Sequence, residues 1–495
     1  MNTSATANTS LATPANTQVA SDTRWANRRL TVLGLSKTGM ATAEYVARHG
    51  GQVFMSESLA ASPTNEANRQ AMQALGTTVE MGGHSKQCFT FATQAVVSPG
   101  IPPSNPTLQQ LLLSGIEVLS EVELAYRENV ACEVEGKRVP LIGVTGTNGK
   151  TTTTTLIAEI LNMAQHPAVA CGNIGYPTLA ALDAYPGHAL VSEMSSYQLH
   201  FSPTLQADIA VFMNLMPDHL QWHGSMDAYA RAKMRLFTGA QSPRWAVLNA
   251  TDALTSQILE LSNAQTVGFA RSEALVKHWR YALWLDVAGV IQARLPDYTG
   301  PVLKAAELQL MGAHNIDNVM AAIATATLMG VTVPQAAQTC LAFTGVPHRL
   351  QPVGTLKTPS TTTVFYNDSK ATNTDAALSA LAAFAPQPII LIAGGYDKME
   401  DLGVFANAVT VGVAHTILIG AARERFAAAL REAGYEALTL LEDMPAAVNH
   451  AVTLATTVHP NCPVVLSPAC ASFDQYTNFE ARGDHFTQLV QGVVG

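Results

Sequence analysis

Val139-Pro-Leu-Ile-Gly-Val-Thr-Gly-Thr-Asn-Gly-Lys150-Thr151 contains an apolar run, a glycine-rich turn and the start of a threonine-rich segment. This order predicts a buried strand, a tight loop and a helix. Glycines let backbone N–H groups surround phosphate oxygens, and the helix N-terminus adds a favourable dipole. Lys150 supplies a point charge, and Thr151 can hold Mg²⁺. The stretch predicts a variant phosphate-binding loop, because Val144 occupies the position of the first glycine in the strict motif; the alternative is a structural turn with a surface lysine.

The sequence on both sides of this loop predicts an α/β architecture built from strands that alternate with helices. Upstream, the strand patterns lie at 30–35, 52–55 and 95–97, with a helix at 41–49 after the first. Within the central part, strands are predicted at 188–191, 209–213 and 245–248, and a long helix at 315–329. After Arg349 the strand patterns lie at 363–366, 388–392, 415–419 and 463–466. Each part favours a Rossmann-like or related sheet.

The pattern of strands and helices divides the chain into four predicted segments. We predict a disordered extension at 1–28, a first domain at 29–128, a central domain at 129–346 and a C-terminal domain at 347–495. The charged segment 127–137 is interpreted as the linker between the first and central domains.

The composition favours a compact protein of a reducing compartment. Hydrophobic residues make up 48% of the 495 residues, which is enough for several large cores, and the formal net charge is −9 without a run of Lys or Arg. A basic footprint for nucleic acid or an anionic membrane is therefore missing. Six separated cysteines without a Cys-x-x-Cys pair indicate reduced thiols. Neither a membrane span nor a signal peptide is predicted, and we expect a soluble, cytoplasmic protein.

Two polar segments follow predicted strands of the central part. Glu193, in Val191-Ser-Glu193-Met-Ser-Ser-Tyr-Gln198, places a carboxylate at a strand end, where a hard ligand for Mg²⁺ is usual. His219, in Asn214-Leu-Met-Pro-Asp218-His219, lies past another strand end and can reach a metal or a phosphate. The alternatives are an ordinary exposed glutamate and a structural histidine.

A third segment, 225–237, predicts a helix with a capping residue at its start. Tyr229, Leu236 and Phe237 lie four residues before and three and four residues after Lys233, so the lysine shares a face with apolar side chains. Burial there favours a neutral or modified lysine. The alternative is a lysine whose stem covers apolar surface while its ammonium group reaches solvent.

Together these segments resemble the central domain of the Mur ligases. The resemblance rests on Gly146–Thr151, Ser192-Glu-Met-Ser-Ser-Tyr-Gln-Leu199, Asp218-His219 and Tyr229-Ala-Arg-Ala-Lys233, in this order and at these spacings. It extends over residues 29–495, and the family's relatives include folylpolyglutamate synthetase. It implies an α/β enzyme of three domains: a Rossmann-like N-terminal UDP-binding domain, a central P-loop ATPase-type domain and a Rossmann-like C-terminal domain for the amino acid.

The resemblance also implies the catalytic residues. Lys150 would bind the phosphates of ATP, Glu193 and His219 would help to hold Mg²⁺, and Lys233 would be carbamylated by CO₂ so that its new carboxylate supports a second Mg²⁺. The implied ATP-binding residues are Gly146, Thr147, Asn148, Gly149, Lys150, Thr151, Thr152, Asn315, Arg349 and Asp368. The implied metal ligands are Thr151, Glu193, His219 and the carbamate of Lys233.

The two ends of the chain indicate the other substrates. Tyr366-Asn-Asp-Ser-Lys370-Ala-Thr372 and Ser467-Pro-Ala-Cys-Ala-Ser-Phe473 resemble segments that hold D-glutamate in one member of the family. The implied D-glutamate-binding residues are Lys370, Thr372, Lys398, Ser467 and Phe473. The implied UDP-substrate-binding residues are Leu35, Ser36, Lys37, Thr38, Glu57 and Asn173. Two positions depart from the family pattern: Ser36 replaces the middle glycine of GxGxxG, and the bulky Tyr396 lies in the turn before Lys398.

The resemblance implies ATP-dependent ligation of D-glutamate to UDP-N-acetylmuramoyl-L-alanine through an acyl phosphate, in the synthesis of peptidoglycan precursors. We expect a monomer. One alternative is another ligase of the same superfamily, adding L-alanine, a diamino acid, a dipeptide or polyglutamate. A different class is a nucleotide switch or sugar-nucleotide-binding protein without ligase activity, which would not need Glu193, His219 and Lys233 together.

Overall fold

A computed structural model of the protein describes residues 24–239, 241–310, 312–397, 399 and 401–494. Three sheets organise these residues, with five, nine and six strands. The α/β fold with three sheet domains that the sequence predicts is therefore confirmed. The chain forms two compact units: the first runs to Ala305 and includes Asp317–Thr339, and the second comprises Ala306–Ile316 and the residues from Cys340 onward.

The N-terminal sheet is parallel, with strand order β3-β2-β1-β4-β5. Its elements are β1 Arg29–Leu33, α1 Lys37–Arg48, β2 Gln52–Glu57, α2 Pro63–Ala74, β3 Thr78–Met81, β4 Gln94–Val97, α3 Pro106–Leu113, β5 Glu117–Leu119 and α4 Glu121–Ala131, with a 3₁₀ turn at Lys86–Phe89. Trp25 is fully buried in the core beneath β1. The folded part of this domain therefore includes residues before the predicted start at Arg29.

The interpretation of residues 127–137 as a linker is wrong. Arg127 lies within α4, which Ser120 caps by accepting a hydrogen bond from the backbone N–H of Glu123. Asn129 is buried and bonds the backbone N–H and C=O of Val139, so the chain returns directly to the next strand. Of the charged residues, Glu128 is buried in α4, whereas Glu133, Glu135 and Lys137 are exposed after the helix ends, and the predicted division at 128/129 falls inside α4.

The central sheet has the order β14-β13-β12-β11-β10-β9-β6-β8-β7, and only its last two strand pairs, β12–β13 and β13–β14, are antiparallel. Its strands are β6 Leu141–Thr145, β7 Ala168–Gly172, β8 Ala189–Glu193, β9 Ile209–Phe212, β10 Trp245–Asn249, β11 Gln265–Ala270, β12 Tyr281–Leu285, β13 Val290–Leu295 and β14 Tyr298–Lys304. The helices are α5 Lys150–Met163, α6 Thr178–Ala184, α7 Ser196–His200, α8 Leu220–His223, α9 Met226–Thr238, α10 Ala253–Leu261, α11 Glu273–Val276, α12 His314–Leu328 and α13 Val333–Ala342.

The C-terminal sheet has the order β15-β16-β20-β17-β18-β19 and is parallel except for its edge strand β15. The strands are β15 Gln351–Lys357, β16 Thr362–Asn367, β17 Ile389–Gly394, β18 Val413–Ile419, β19 Leu438–Leu440 and β20 Val464–Leu466. The helices are α14 Thr374–Phe384, α15 Gly403–Gly412, α16 Arg423–Glu432, α17 Met444–Thr453 and α18 Phe479–Val494. All four strands predicted in this part of the sequence are present.

Among the described residues, no helix is both long enough and apolar enough to cross a membrane. The six cysteines are free thiols, and all except Cys462 are buried.

Candidate active site

The order of the central strands brings the polar segments of the sequence to one edge. β9, β6, β8 and β7 are neighbours and run parallel. The loops that follow them therefore leave the same edge of the sheet, which is where α/β proteins bind their ligands. These loops carry the glycine-rich segment, His219 and Asn173, and Glu193 is the last residue of β8 at the same edge.

The glycine-rich loop joins β6 to α5. Gly149 is the N-cap of α5 with a positive φ of 84°, and a Cβ there would lie 2.4 Å from Oδ1 of Asn318. Only glycine fits this position without a shift of its neighbour. Asn214, which follows β9, fixes the loop from outside: its carbonyl accepts from the N–H of Thr147 at 2.8 Å, and its side-chain oxygen accepts from the N–H of Asn148 at 2.8 Å.

Lys150 and Thr151 open α5 directly after the loop. The Lys150 ammonium donates to the carbonyls of Gly146 at 2.9 Å and Thr147 at 2.7 Å, which holds its charge over the loop. The Thr151 hydroxyl donates to Oε2 of Glu193 at 2.7 Å. The sequence prediction that these residues lie together at a strand–loop–helix junction is confirmed in its geometry.

Glu193 ends β8 and is only 3% exposed. Its second carboxylate oxygen, Oε1, accepts from the side-chain amide of Asn173 at 2.9 Å. The interpretation of Glu193 as an ordinary exposed glutamate is therefore wrong. A buried carboxylate beside a threonine hydroxyl offers the hard oxygen donors that Mg²⁺ prefers, so the residues present fit this ion.

Lys233 lies on α9 and is 1% exposed. Its ammonium group donates to the carbonyl of Gly146 at 2.7 Å and lies 4.7 Å from the centre of the Tyr229 ring. Burial and the nearby charge of Lys150 lower the pKa of Lys233 well below its ordinary value, although Asp218 and Glu193 act in the opposite direction. The structure thus rejects the alternative of a solvent-reaching lysine, and places the amine beneath the glycine-rich loop.

His219 lies immediately before α8 in a left-handed backbone conformation, with φ of 55°. Its Nδ1 is 3.1 Å from Oδ1 of Asp218, and its ring centre is 6.2 Å from that of Tyr229. The hydroxyl of Tyr229 lies 3.0 Å from Oγ1 of Thr147. Tyr229 therefore connects His219 and Lys233 to the loop. Sequence reasoning treated Tyr229 only as an apolar neighbour of the lysine.

Two further histidines lie beside His219. Burial lowers the pKa of His223 to about 4, and the neighbouring His200, His219 and Lys233 act in the same direction. Burial and the charge of Arg235 lower the pKa of His200 to about 4. Both imidazoles are neutral near neutral pH, so they add no positive charge to this side of the site.

The first βα turn of the N-terminal domain is arranged differently. The backbone N–H of Leu35 donates to Glu57 at 2.8 Å. Ser36 caps α1 by accepting from the N–H of Gly39, and its hydroxyl also bonds that of Ser98 at 2.7 Å. The exposed Lys37 donates to the carbonyl of Gly175 at 2.7 Å, in the loop that also carries Asn173. This bond links the predicted UDP residue Lys37 to the loop that carries Asn173.

Glu57 ends β2, next to this turn. Burial alone would raise the pKa of its carboxyl, but backbone hydrogen bonds from Leu35 and Leu59 outweigh that effect and lower the pKa. The carboxylate is therefore ionised and already accepts two backbone N–H groups. Thr38 lies in the first turn of α1, where its carbonyl accepts from the hydroxyl of Thr42 at 2.9 Å.

In the second unit, Asp368 follows β16 and is buried. It accepts from the hydroxyl of Ser467 at 2.8 Å and from the N–H of Leu350 at 3.2 Å. Burial raises the pKa of Asp368 to about 7, against the opposing effects of Ser467 and Arg349. The predicted D-glutamate residue Ser467 and the predicted ATP residues Arg349 and Asp368 are thus neighbours.

Of the remaining predicted residues that the structure describes in this unit, Lys370, Thr372 and Phe473 lie in loops, and Asn315 lies in the first turn of α12. The backbone N–H of Lys370 donates to the carbonyl of His348 at 3.0 Å, and that of Thr372 to the carbonyl of Lys370 at 2.8 Å. The N–H of Asn315 donates to the carbonyl of Gly312 at the start of α12. Phe473 is 67% exposed, with its ring centre 6.4 Å from that of Tyr396. Lys398 lies outside the described residues.

Sequence reasoning missed Arg482, which is 2% exposed on α18. Its guanidinium donates to the hydroxyl and carbonyl of Ser369 at 3.0 and 2.8 Å and to the carbonyl of Ala471 at 3.1 Å. It therefore joins the two loops that carry the predicted D-glutamate residues. No local pattern identifies an arginine that acts through tertiary contacts in this way.

Comparison with known proteins bears on all three sheets. The model of the Mur ligase MurD-like N-terminal domain matches residues 28–120, that of the Mur ligase middle domain 144–326, and that of the Mur ligase glutamate ligase domain 348–470. In solved structures, the chain resembles MurF from Acinetobacter baumannii with a TM-score of 0.55 and 16% identity, covering 94% of this chain and 93% of that one. It also resembles the UDP-N-acetylmuramate-alanine ligase MurC of Thermotoga maritima with a TM-score of 0.53 and 18% identity, covering 94% and 99%. At these identities the likeness concerns the fold.

The fold and the matched domains define the class: the chain belongs to the Mur ligase family. Two of its relatives carry the name UDP-N-acetylmuramoylalanine–D-glutamate ligase. One, from Geobacillus kaustophilus (strain HTA426), is 37% identical over 94% of this chain and 97% of its own length. The other, from Trichormus variabilis (strain ATCC 29413 / PCC 7937), is 38% identical over 94% of this chain and 99% of its own length.

Proposed function

We propose that this chain is a ligase that joins D-glutamate to the alanyl carboxylate of UDP-N-acetylmuramoyl-L-alanine, with conversion of ATP to ADP and phosphate. The observation that carries the proposal is the match, over nearly the whole length of both chains, to relatives named for this activity. The arrangement of Lys150 at the glycine-rich loop beside the buried Thr151 and Glu193 supports a nucleotide-dependent reaction at the edge of the central sheet. We further propose that the enzyme acts in the cytoplasm as a monomer, in the synthesis of peptidoglycan precursors.

A carboxylate is a poor acyl donor, and the proposed reaction therefore proceeds in two steps. A carboxylate oxygen attacks the γ-phosphorus of ATP, and the bond between this phosphorus and the bridging oxygen breaks. ADP departs, and the substrate carboxylate has become an acyl phosphate. The amine of D-glutamate then attacks the acyl carbon, loses a proton, and phosphate departs as the amide forms. In this scheme the ammonium of Lys150 neutralises charge on the transferring phosphoryl group.

The proposed metal ligands are Thr151, Glu193, His219 and a modified Lys233. Mg²⁺, when bound, would supply charge neutralisation for the phosphates of ATP. Asn173 holds one oxygen of Glu193 and Thr151 the other, so the carboxylate plane is fixed by its partners. Such partners orient a ligand and tune its affinity for the ion. The nucleotide itself would lie against Gly146–Thr152, and Asn315, Arg349 and Asp368 are proposed as further contacts.

We propose that Lys233 is carbamylated. Only a neutral amine can attack CO₂, and the lowered pKa of Lys233 increases the fraction of that form. The ammonium group first loses one proton; the amine nitrogen then forms a bond to the carbon of CO₂ as one C–O π bond breaks, and a second proton is released, which leaves an anionic carbamate. An anion then stands, in place of a second ammonium group, near Lys150, which shares the carbonyl of Gly146 with Lys233.

The other substrates are assigned by the same family pattern. Leu35, Ser36, Lys37, Thr38, Glu57 and Asn173 are proposed for the UDP-substrate. Lys370, Thr372, Lys398, Ser467 and Phe473 are proposed for D-glutamate. The bond between Lys37 and Gly175 supports the first assignment, because it brings a cation of the N-terminal domain to the Asn173 loop.

The test is phosphate release from ATP with UDP-N-acetylmuramoyl-L-alanine and, in parallel, D-glutamate, L-glutamate, L-alanine or a diamino acid. We expect release with D-glutamate and a product of the corresponding mass. Release with another acceptor alone would keep the ligase class and overturn the acceptor. Hydroxylamine added without D-glutamate should trap the acyl phosphate as a hydroxamate, and failure to trap it while ligation proceeds would argue against that intermediate.

A further inference from the structure

A second cluster of ligand-type side chains lies in the N-terminal domain, apart from the residues assigned above. Glu80, His84 and Cys88 follow one another at intervals of four residues, from β3 through a short loop into the 3₁₀ turn Lys86–Phe89. Among the residues that the structure describes, their ligand atoms form a group in which all members lie within 4.8 Å of one another. Three different types of donor atom therefore converge on one point.

Ser56 holds two of these side chains in place. It is fully buried on β2, directly opposite Glu80 in the register of β2 and β3. Its hydroxyl donates to Oε1 of Glu80 at 2.5 Å and lies 2.6 Å from Nδ1 of His84. Because a hydroxyl has one proton, the protonated Nδ1 of His84 is then the donor in the second contact. The N–H of Ser85 adds bonds of 3.1 and 3.2 Å to the Glu80 carboxylate.

Cys88 completes the cluster from the protein interior. Its side chain is fully buried among apolar residues of the sheet, including Leu33, Phe54 and Val97. A thiol is a weak hydrogen-bond donor and acceptor, so the polar network of Ser56, Glu80 and His84 gains little from it. As a thiolate, however, the same sulfur is a strong ligand for a soft divalent metal.

We propose that Glu80, His84 and Cys88 form a binding site for a soft divalent transition metal of the Zn²⁺ class. Thiolate and imidazole select Zn²⁺ over Mg²⁺, and the carboxylate completes a set of three protein ligands that leaves a fourth position for water. Binding exchanges the thiol proton of Cys88 for the metal, and the proton passes to solvent. The carboxylate and the thiolate together balance the charge of the ion. Ser56 then orients the imidazole and the carboxylate through its hydroxyl without touching the ion.

The position of the cluster suggests what the metal does. The loop between Glu80 and Ser85 is tied to the end of β2 by hydrogen bonds from Gly82 to Leu59 and from Gly83 to Glu57, at 2.9 and 3.3 Å. A metal coordinated by Glu80, by His84 within this loop and by Cys88 cross-links β3 and the loop to the 3₁₀ turn. The bound ion therefore braces the edge of the N-terminal sheet that carries Glu57.

The experiment is calorimetric titration of chelator-treated full-length protein with Zn²⁺ alone, repeated in the presence of excess Mg²⁺. We expect one site that Mg²⁺ does not displace, and a higher melting temperature with Zn²⁺. C88S and H84Q are expected to weaken binding by about tenfold or more, which is the usual effect of losing a ligand or its support. With Co²⁺ as the probe, the near-ultraviolet thiolate-to-metal absorption should be present in the wild type and absent in C88S.

Two controls identify the site. C462S makes the same substitution in the C-terminal domain and should leave Zn²⁺ binding unchanged. H450Q removes one member of an imidazole group in the C-terminal domain, in which the His415 ring centre lies 5.9 Å from that of His450 and 6.1 Å from that of His459. No binding by the wild type, equal binding by wild type, C88S and H84Q, or loss of the site in H450Q would each overturn the proposal. E80Q, which keeps the size of the side chain, provides an independent variant if C88S does not fold.

Discussion

The first unit contains two strand–loop–helix turns that look alike along the chain but differ in how their helix begins. At β1–α1, the serine side chain of Ser36 caps the helix, and the N–H of Leu35 is bonded to Glu57. At β6–α5, the cap is Gly149, which has no side chain to compete for the N–H groups of the first turn. A helix N-terminus attracts phosphate through these groups. The two turns share a topology, but the serine cap uses an N–H group of the first turn of α1 that the glycine cap of α5 leaves without a side-chain partner.

Lys150 at the β6–α5 turn gives the largest expected effect. K150A removes the cation that lies over the loop, and we expect kcat to fall by about 10²–10³-fold, as for loss of a group that stabilises developing charge. Phosphate release measures this. K277A, which removes the exposed lysine that follows α11, is the matched control and should retain activity. If K150A and the wild type released phosphate at equal rates, the β6–α5 turn would have no part in the reaction.

Lys233, beneath the same turn, is expected to give the next largest effect. K233M keeps the length and apolar character of the side chain but cannot be carbamylated, and we expect activity to fall by about 10- to 100-fold, the range for loss of a ligand's supporting group. Activity of the wild type should rise when bicarbonate is restored to depleted buffer, while K233M should not respond. A bicarbonate response in K233M would contradict the proposed modification.

K233M is also expected to change how the free energy of unfolding depends on pH. Because burial and Lys150 lower the pKa of Lys233 in the folded protein, the unfolded chain binds more protons at any pH between that lowered value and the ordinary lysine pKa of roughly 10.4. Wild-type stability should therefore rise with pH across that window. Denaturant unfolding in bicarbonate-free buffer should show the advantage of K233M shrinking as pH increases. If the difference in unfolding free energy between K233M and the wild type did not depend on pH, the titration of Lys233 would not be its cause.

Ser36 tests the β1–α1 turn. S36A removes the cap and the bond to Ser98, and the free energy of unfolding should fall by about 1 kcal/mol, the usual cost of a lost N-cap. S272A is the matched control, because Ser272 is an N-cap whose side chain makes no capping hydrogen bond. It should change stability by less than about 0.5 kcal/mol. Equal losses in the two variants would mean that the cap at Ser36 contributes nothing specific.

Lys37 gives the smallest expected effect. K37A removes an exposed contact to Gly175, and such contacts are worth up to roughly 1 kcal/mol, which corresponds to an increase of about two- to fivefold in KM for the UDP-substrate. KM for ATP should stay the same, since the β6–α5 turn is unchanged. Steady-state kinetics, with the UDP-substrate and ATP varied in turn, measures the two KM values separately. An equal rise in both KM values would show that the two turns are not independent.

The predicted strands show where sequence reasoning succeeds. β17 is buried at every position and stands out as an apolar run, as β6 and β9 do. β13 instead alternates between partly buried and buried residues at the antiparallel end of the central sheet, and no strand was predicted for it. A short half-buried strand carries fewer apolar residues, so its pattern resembles that of a loop or a helix face.

The β6–loop–α5 segment and the α/β class could be predicted from the residues alone, because hydrophobic period, glycine positions and helix signals are local. The sequence also brought Lys150, Thr151, Glu193 and His219 into one candidate site, since the ends of parallel strands share an edge. Only the tertiary structure decided that Lys233 is buried and that residues 127–131 continue a helix. Only the fold brings Ser56 to Glu80, His84 and Cys88. Burial and electrostatic environment depend on residues far apart in the chain, and a local pattern does not contain that information.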